Sequence, residues 1–523
     1  MIYFKFTLDS TNFKSFSYQN LFKNIYIIRI LYNYYTKRCM VKKMVNNIKI
    51  KNFGPIKEAN INISPLTIFI GPNSSGKSYS ALLTHALLNP FDEENPPNKR
   101  RFQFGFNSLK VLMDSDDSDL LISFDEKITE FIKSKPKLND SLIIPSEEFF
   151  DLINKGAGIF YKNLVEERIK NLFGVEDLND LINLTNDFFE LTFNELSFQK
   201  NQFEFKLENF EYYLEKIGKS EDNPIKNNIV MAFIVKNDKV DFKLNYPLLM
   251  EGREEAEEFI PLLLYNYIAD ELINYLINDK SFYIPAERDS LAKRFEFSLS
   301  DELNDLIEFS KTQKELATNF LKNRQKSKKK IFYDLAHELE MELFGGEIDF
   351  KDDEIFKEIV FSNKEKGFEF PLNLVSSSIR ELTPVIFHLK YILDKGDTLI
   401  IEEPEAHLHP RNQRILVKYF VKAINEGLNI ILTTHSDYII EQFNNFVRLG
   451  NIDEKILKEL NYDKTNILND NDIRIYHFKD DGNYNFVSNE LNINFTGFNE
   501  ENFSEVIEDL YVEAEKINDS SIR

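Results

Sequence analysis

One segment of the chain has the glycine, lysine and serine spacing of a phosphate-binding loop. Gly71–Ser78 reads GPNSSGKS, which matches the pattern Gly-x-x-x-x-Gly-Lys-Ser/Thr. In such a loop successive backbone N–H groups surround the β- and γ-phosphates, and the amino end of the following helix adds positive charge. The Lys77 ammonium would neutralise the terminal phosphates, and the Ser78 hydroxyl would coordinate Mg²⁺. The residues predicted to hold the nucleotide are Gly71, Asn73, Ser74, Ser75, Gly76, Lys77 and Ser78.

Two adjacent carboxylates, Glu402 and Glu403, follow an apolar run that reads LII. A phosphoryl-transfer site needs one such carboxylate in the Mg²⁺ shell and another beside the attacking water. We therefore predict that Glu402 binds the metal and that Glu403 acts as the general base. A pair of acidic residues at a strand end is by itself often a solvated corner, so this prediction depends on the phosphate-binding loop.

A third apolar run, Ile430–Leu432, leads into Thr433, Thr434 and His435. A histidine at such a strand end can donate a hydrogen bond to the γ-phosphate or to the attacking water. The alternative is a core histidine whose hydrogen bonds are satisfied inside the protein. Because His435 follows the carboxylate pair by about 30 residues, we favour a role in sensing the nucleotide.

The segments around these motifs alternate between apolar strands and helices. Leu66–Ile70 is nearly all apolar, which is typical of a strand covered on both faces, and a helix is predicted from about Lys77. The later segments predict a strand at Asp397–Ile401, a helix at Arg411–Glu426, a strand at Asn429–Leu432 and a helix at Asp437–Phe443. We therefore predict an α/β fold, a P-loop NTPase with a three-layer sheet core.

Antiparallel hairpins are predicted on both sides of this core. Asn47–Ile63 alternates apolar and polar residues around a Gly-Pro turn, which indicates a β-hairpin lobe. Ile229–Leu244 and Ile473–Val487 predict two more hairpins, and Glu500–Ile517 predicts a helix. Ser281–Pro285 is apolar again and predicts a strand that returns to the sheet.

Composition and these elements divide the chain into five segments. Residues 1–43 contain eight basic side chains against one acidic one. A targeting peptide and a membrane-surface helix are alternatives for this leader, but we favour a loosely ordered extension or a misassigned start before Met44. The other segments are the first part of the core (44–113), a helix-rich insertion (114–279), the second part of the core (280–470), and a C-terminal hairpin and helix (471–523).

The overall composition excludes several classes of protein. The 523 residues carry a formal net charge of −22, so a generally basic coat for nucleic acid is excluded and any such surface must be local. The single cysteine, Cys39, forms no intramolecular disulfide and no four-cysteine metal site, which favours a reducing cytoplasm. No uncharged apolar run reaches the roughly 18 residues of a membrane span, so we predict no membrane contact.

The three motifs together resemble the ATPases of the ABC superfamily. More narrowly, the strings EEPEAHLHP at 402–410 and TTHS at 433–436 are similar to those of the soluble branch that contains RecF, SMC-type proteins and OLD-like AAA ATPases of defence systems. The resemblance implies that Glu402 is the Walker B metal ligand, where most relatives have Asp. It also implies that Glu403 is the catalytic base and His435 the switch histidine, with ATP and Mg²⁺ held between two copies of the chain.

This family also needs a signature loop that reaches the nucleotide of the partner chain. The best candidate is the segment Leu374–Leu382, where Ser376, Ser377 and Ser378 would supply hydroxyls and amides at a helix start. The wider family has LSGGQ here, and two of its glycines are serines in this chain, which puts efficient hydrolysis in doubt. An ordinary serine N-cap is the alternative. Ser376 lies 298 positions after Ser78, more than a transporter ATPase would use, so a transporter is disfavoured.

Three further features stay open at the level of sequence. Arg288, in the segment FYIPAER, either reaches a phosphate or a subunit interface or forms a buried ion pair, and Gln103 is a candidate for the Q-loop glutamine. A dense basic segment either follows a phosphate backbone or forms a solvated helix face, which we favour. It contains Lys311, Lys314, Lys322, Arg324, Lys326, Lys328, Lys329 and Lys330.

Three hypotheses for function follow. The first is an ATP-hydrolysing dimeric switch that acts in DNA repair or anti-phage defence, on DNA or on a separate effector protein. The second is a scaffold that ATP holds together with little turnover. The third, a metal-dependent hydrolase using His407 and His409, is the weakest because their spacing also fits a turn. Since 88 residues follow His435, too few for a TOPRIM domain, we expect no built-in nuclease.

Overall fold

In the computed structural model, the chain forms two compact units. The first unit is made of residues 1–44, 110–153 and 206–267, and the second of residues 45–109, 154–205 and 268–523. The structure describes residues 47–89, 126–127, 130–131, 133–135, 141–145, 165–182, 190–193, 196–197, 211–215, 229–236, 239–244, 280–288, 310–324, 329–351, 359–363, 365–480, 486–494, 497–498 and 509–517. The predicted leader, Gln103 and the first half of the predicted helix 500–517 lie outside these ranges.

The strands belong to three sheets. In chain order they are β1 (Asn47–Phe53), β2 (Ile56–Asn62), β3 (Leu66–Ile70), β4 (Ser141–Pro145), β5 (Glu190–Phe193), β6 (Leu196–Ser197), β7 (Glu211–Glu215), β8 (Ile229–Lys236), β9 (Lys239–Leu244), β10 (Ser281–Ile284), β11 (Glu347–Phe350), β12 (Ile359–Asn363), β13 (Phe368–Pro371), β14 (Thr398–Glu402), β15 (Asn429–Thr433), β16 (Ile473–Asp480) and β17 (Phe486–Glu490).

The labelled helices all lie in the second unit. They are α1 (Lys77–Leu88), α2 (Lys311–Arg324), α3 (Tyr333–Phe344), α4 (Ser377–Phe387), α5 (Pro410–Asn425), α6 (Asp437–Arg448) and α7 (Glu454–Glu459), and a π-helical turn, His388–Ile392, continues α4. Residues 165–173 and 509–517 are also helical. Among the described residues, no helix is both long and apolar enough to cross a bilayer.

A ten-stranded mixed sheet forms the centre of the second unit, in the order β10-β14-β15-β3-β16-β17-β2-β1-β5-β6. The five strands β10, β14, β15, β3 and β16 are parallel to one another. Because the carboxyl ends of parallel strands meet at one edge, the residues after β3, β14 and β15 come together there. This arrangement confirms the predicted α/β fold and the return of β10 to the sheet.

Helices cover both faces of the parallel strands. Leu399 and Ile401 of β14 share a core with Leu416 and Phe420 of α5. Alternate residues of a strand point to opposite faces, so the fully buried Ile400 faces the other side, where α1 packs on β14 and β15. Each such side chain stabilises the fold by about 1.5–3 kcal/mol through its burial. The sheet is therefore the middle of three layers.

Two hairpins extend the parallel part of the sheet. β1 and β2 pair in antiparallel fashion with Phe53 opposite Ile56, which confirms the first predicted hairpin. The predicted C-terminal hairpin is also present as β16 and β17. Its position was not predicted: β16 lies parallel to β3, and β17 joins β2, so the C-terminal hairpin links the P-loop strand to the hairpin lobe.

The segment that we predicted as an insertion, 114–279, contributes to both units. The first unit contains a four-stranded antiparallel sheet in the order β4-β9-β8-β7, in which β8 and β9 form the hairpin predicted at Ile229–Leu244. By contrast, β5 and β6 are strands of the second unit, where β5 pairs with β1. A three-stranded sheet, β11-β12-β13, precedes α4 in the second unit.

Candidate functional site

The loop after β3 requires glycine at two positions. Gly71 has a φ of 142°, and a Cβ there would lie 2.6 Å from the Phe478 carbonyl oxygen of β16. Gly76 has a φ of 98°, and its Cβ would lie 2.5 Å from Ile56 of the hairpin lobe. Side chains at these positions are excluded by both backbone conformation and space. The loop is thus pressed against two neighbouring strands, with its polar residues Asn73 and Ser74 exposed.

The P-loop lysine is buried against its own loop. The Lys77 side chain is 5% exposed, and its Nζ donates to the carbonyl oxygens of Gly71 at 3.0 Å and Pro72 at 2.7 Å. Burial lowers the pKa of Lys77 to about 8, although the carboxylates of Glu403, Glu405 and Glu402 act in the opposite direction. The lysine therefore lies within electrostatic reach of all three carboxylates.

The carboxylate pair lies at the edge of the sheet where the P-loop begins. In the strand register Glu402 of β14 is beside Thr433 of β15, which is beside Phe69 of β3. The Glu402 Oε2 accepts a hydrogen bond from the Ala286 N–H at 3.1 Å. Glu403 leaves the strand with a φ of 43°, its N–H donates to the Thr433 carbonyl at 3.0 Å, and its side chain is 45% exposed.

His435 faces Glu403 across this edge. The imidazole Nε2 is 3.9 Å from the Glu403 Oε1. Burial lowers the pKa of His435, the Lys77 ammonium lowers it further, and Glu403 raises it. The ring is therefore neutral near pH 7 and has one nitrogen donor and one nitrogen acceptor. Four side chains predicted from three motifs, those of Lys77, Glu402, Glu403 and His435, thus lie close together at this edge.

Glu405 is a residue of this site that sequence reasoning missed. Its Oε1 accepts hydrogen bonds from the Thr434 hydroxyl at 2.9 Å and from the His435 N–H at 2.7 Å. Burial raises the pKa of this carboxyl group. Glu405 ties the loop after β14 to the loop after β15 and so fixes the backbone of the predicted switch histidine. The only sequence signal was a third acidic residue in the EEPE string.

Arg288 forms a buried ion pair. Its side chain is fully buried, and its Nε lies 3.1 Å from the Glu381 Oε2 of α4. Because the guanidinium has no exposed surface, contact with a phosphate or a subunit interface is excluded in this conformation. Of the two alternatives left open by the sequence, the structural ion pair is confirmed.

The serines of the candidate signature loop lie at the start of α4. Ser376 occupies the N-cap position, but its hydroxyl accepts no capping hydrogen bond and instead lies 3.0 Å from the Ser378 hydroxyl. Nearby Leu374 is 71% exposed. In the described part of the chain no side-chain hydrogen bond joins Ser376, Ser377 or Ser378 to the P-loop.

The two histidines of the hydrolase hypothesis have other contacts. The His409 Nδ1 accepts a hydrogen bond from the Arg411 N–H at 3.2 Å and so caps α5. His407 is exposed and lies 3.9 Å from the Glu381 carboxylate. Within the described ranges, the one group with metal-ligand spacing lies elsewhere: His337, Glu340 and Glu347. There the Lys390 ammonium is 2.7 Å from Glu340 and supplies the positive charge, so neither group indicates a metal hydrolase.

The C-terminal end of the basic segment, Lys329 and Lys330, has structural partners. Lys330 forms an ion pair with Asp394 at 2.5 Å, and the Lys329 ammonium lies 4.0 Å from the ring centre of Tyr333. Cation–π contacts of this kind stabilise a surface by about 0.5–1 kcal/mol. Residues 325–328 lie outside the described ranges. Lys329 and Lys330 precede α3 and are not helical, and their contacts within the chain favour a structural role over a phosphate-binding track.

The site fits a nucleoside triphosphate with its divalent metal. The Ser75 Oγ is buried and has no hydrogen-bond partner among the described residues, although it lies in a loop built to surround an anion. The Ser78 hydroxyl is exposed at the start of α1, and the Glu402 carboxylate lies at the end of β14, which β15 separates from the P-loop strand β3. A hydroxyl and a carboxylate are the oxygen ligands that Mg²⁺ prefers.

Comparison with known proteins gives one family and several distant structures. The model of the family described as AAA ATPase domain matches residues 44–440. No curated protein matches the chain in sequence. Similar solved structures include an SMC head domain bound to the C-winged helix domain of ScpA, with a TM-score of 0.34 and 14% identity over 86% of this chain and 98% of that chain. The SMC head domain from Thermotoga maritima has a TM-score of 0.29 and 12% identity over 86% and 99%.

Proposed function

The chain belongs to the AAA ATPase domain family, and from this premise we propose that it binds ATP at Gly71–Ser78 and hydrolyses it as a dimeric switch. One observation carries the proposal: Lys77 lies at one edge of the sheet with Glu402, Glu403 and His435, which follow it in the chain by more than 300 positions. A buried lysine beside three carboxylates is the charge pattern that a metal-bound triphosphate would complete.

The P-loop residues would bind and orient the triphosphate. The Lys77 ammonium would exchange its two loop carbonyls for phosphate oxygens, and the loop amides with the Ser75 hydroxyl would surround the β-phosphate. When bound, Mg²⁺ would neutralise charge on the β- and γ-phosphates, held by the Ser78 hydroxyl and the Glu402 carboxylate. The nearby carboxylates balance the positive charge of Lys77, and the Lys77 ammonium would hold the leaving group in place.

Glu403 would accept the proton of the attacking water. Its carboxylate is nearly half exposed, so a water can reach it, while the backbone hydrogen bond to Thr433 fixes the residue in its left-handed conformation. The neutral His435 ring lies close enough to orient the same water or to donate to the γ-phosphate. Glu405 would keep His435 in position through its bond to the His435 N–H.

The signature loop would complete the site of a second copy. Ser376, Ser377 and Ser378 lie at the amino end of α4, and among the described residues none of them has a side-chain hydrogen bond to its own P-loop; they would meet the triphosphate of a partner chain. ATP would close such a dimer, and hydrolysis would reopen it. The EEPEAHLHP resemblance supports a use of this switch in DNA repair or anti-phage defence, with DNA or an effector protein as the responding partner.

The test is the substitution Glu403→Gln. We expect phosphate release to fall by at least about 100-fold, because the general base is lost while the shape is kept. ATP affinity should stay within about threefold, and ATP should trap a dimer measurable by light scattering. The matched control is Glu454→Gln, which changes an exposed carboxylate on α7 and should leave turnover unchanged.

Phosphate release by the wild-type protein distinguishes the ATP-hydrolysing switch from the scaffold. Phosphate release that depends on Mg²⁺ and is lost in Glu403→Gln supports the switch. If the purified protein binds ATP but releases no phosphate, alone or with duplex DNA, the hydrolytic proposal fails and the scaffold takes its place. The two serines that replace glycines in the signature loop are the feature that would explain such an outcome.

A further inference from the structure

One guanidinium joins the end of the Walker B strand to the helix of the signature loop. Arg288 donates from Nη1 to the Glu402 carbonyl at 2.7 Å and from Nη2 to the Glu403 carbonyl at 3.1 Å. On its other side Nε donates to the Glu381 carbonyl of α4 at 2.9 Å, and the Glu381 carboxylate balances the charge at 3.1 Å. A further bond reaches the Pro285 carbonyl at 3.3 Å.

These bonds satisfy backbone groups that the sheet cannot pair. Glu402 is the last residue of β14, and Glu403 has a left-handed conformation, so the carbonyls of both residues lie where the ladder ends. A buried arginine is costly unless all its donors are used, and a purely apolar contact would be the simpler way to pack α4. The planar arginine fork holds its acceptors in a fixed geometry from three nitrogens, whereas a lysine ammonium offers its donors from a single, freely rotating nitrogen.

We propose that Arg288 is a positioning residue that couples the two catalytic carboxylates to the signature loop, so that the state of the P-loop site moves the start of α4. This inference rests on the proposed function, because it assumes that nucleotide binds beside Glu402 and Glu403. It assigns a route between sites: in the proposed dimer, α4 contacts the partner's nucleotide, so Arg288 links one ATP site to the other.

The distances along α4 are short enough for such coupling. Glu381 lies five residues after Ser376, about 7.5 Å along a helix axis at 1.5 Å per residue. The loop after Glu403 also approaches the same carboxylate, since the His407 Nε2 is 3.9 Å from the Glu381 Oε1. A shift at the end of β14 would therefore reach α4 through two contacts with Glu381, one from Arg288 and one from His407.

The experiment compares Arg288→Lys and Arg288→Met with Glu381→Gln. We expect both Arg288 variants to lower turnover by 10-fold to 100-fold, as about 1 Å of misplacement does, with ATP affinity within about threefold. Lysine keeps the positive charge but lacks the planar guanidinium. If turnover stays low in Arg288→Lys, the geometry of the guanidinium is required and charge pairing with Glu381 is not sufficient. Glu381→Gln keeps its backbone acceptor and should have a smaller effect.

A second measurement does not depend on hydrolysis. Deuterium exchange of the amides at residues 376–380 should change when ATP binds to the wild-type protein, because α4 follows the Walker B end. In Arg288→Met the same amides should no longer respond, although ATP still binds. If wild type releases no phosphate but this response is present and Arg288-dependent, the hydrolytic function fails while the coupling stands.

The control is a second buried ion pair of the same core. Lys390 and Glu340 are both fully buried and 2.7 Å apart, but neither contacts Glu402, Glu403 or the P-loop. Glu340→Gln should lower thermal stability and leave turnover per folded molecule unchanged. If Arg288 variants lose only stability in the same way, or if their amides at 376–380 respond to ATP as in wild type, the proposal is wrong.

Discussion

At the scale of single residues, the conformation of the P-loop depends on glycines that pack against neighbouring strands, and Gly71 gives the sharpest test. Gly71 combines a φ of 142° with a carbonyl oxygen of Phe478 at 2.6 Å from any added Cβ. We predict that Gly71→Ala displaces the loop from β16 and lowers ATP affinity by at least about 10-fold, since a misplaced loop loses several amide contacts with phosphate. Fluorescent-nucleotide titration measures this loss.

Gly367→Ala is the matched control for the glycine prediction. Gly367 also has a positive φ, 70°, but a Cβ there meets nothing within 4 Å. We expect it to cost about 1–2 kcal/mol of stability from backbone strain alone and to leave ATP affinity unchanged. Equal affinity in both variants would show that the contact with β16 does not shape the loop.

At the scale of elements, α4 and its π-helical extension respond to pH through one buried ring. His388 is fully buried, its Nδ1 is 2.7 Å from the Pro384 carbonyl, and burial lowers its pKa to about 4 from the usual 6.5. Below pH 6.5 the unfolded chain binds a proton that the folded chain does not, so the free energy of unfolding falls as pH falls toward 4. At pH 5 the loss is about 2 kcal/mol.

The variant His388→Asn isolates this contribution. Asparagine keeps a donor near the Nδ1 position but does not titrate, so the variant should be less stable than wild type at pH 7.5 and should lose less on acidification. Urea denaturation at pH 7.5 and pH 5 measures both values. An equal loss of unfolding free energy in the two proteins would contradict the assigned protonation of His388.

At the scale of the whole molecule, the proposed dimer predicts complementation between two inactive variants. Lys77→Ala inactivates the P-loop of the chain that carries it, and Ser377→Arg blocks the signature loop of the chain that carries it. If each site combines the P-loop of one chain with the signature loop of the other, an equal mixture regains about a quarter of wild-type turnover, since half the dimers are mixed and each has one intact site. Phosphate release from the mixture measures the recovery.

A second mixture tests the same arrangement from the other side. Lys77→Ala and Glu403→Gln alter groups that lie in the same site of one chain, so mixing these variants should restore nothing. Recovery in this mixture, or none in the first, would contradict the shared sites. The two outcomes do not depend on which partner or nucleic acid the protein serves.

The sequence alone determined the parts of this protein that are local in the chain. The P-loop, the apolar strands β3, β14 and β15 and the hairpins were readable because spacing and alternation act over fewer than about 20 residues. The meeting of Lys77, Glu402, Glu403 and His435 also followed, because parallel strands bring their carboxyl ends to one edge.

Only the tertiary structure decided which distant residues contact one another. Arg288 meets Glu381 and Glu402 across 93 and 114 positions, and β16 lies beside β3, although no periodicity in the sequence encodes either pairing. The hydrogen bond from the His435 N–H to the Glu405 carboxylate could not be predicted either, because a third acidic residue in the EEPE string does not show which groups it contacts. Such contacts depend on how the elements pack in three dimensions, which short-range patterns leave open.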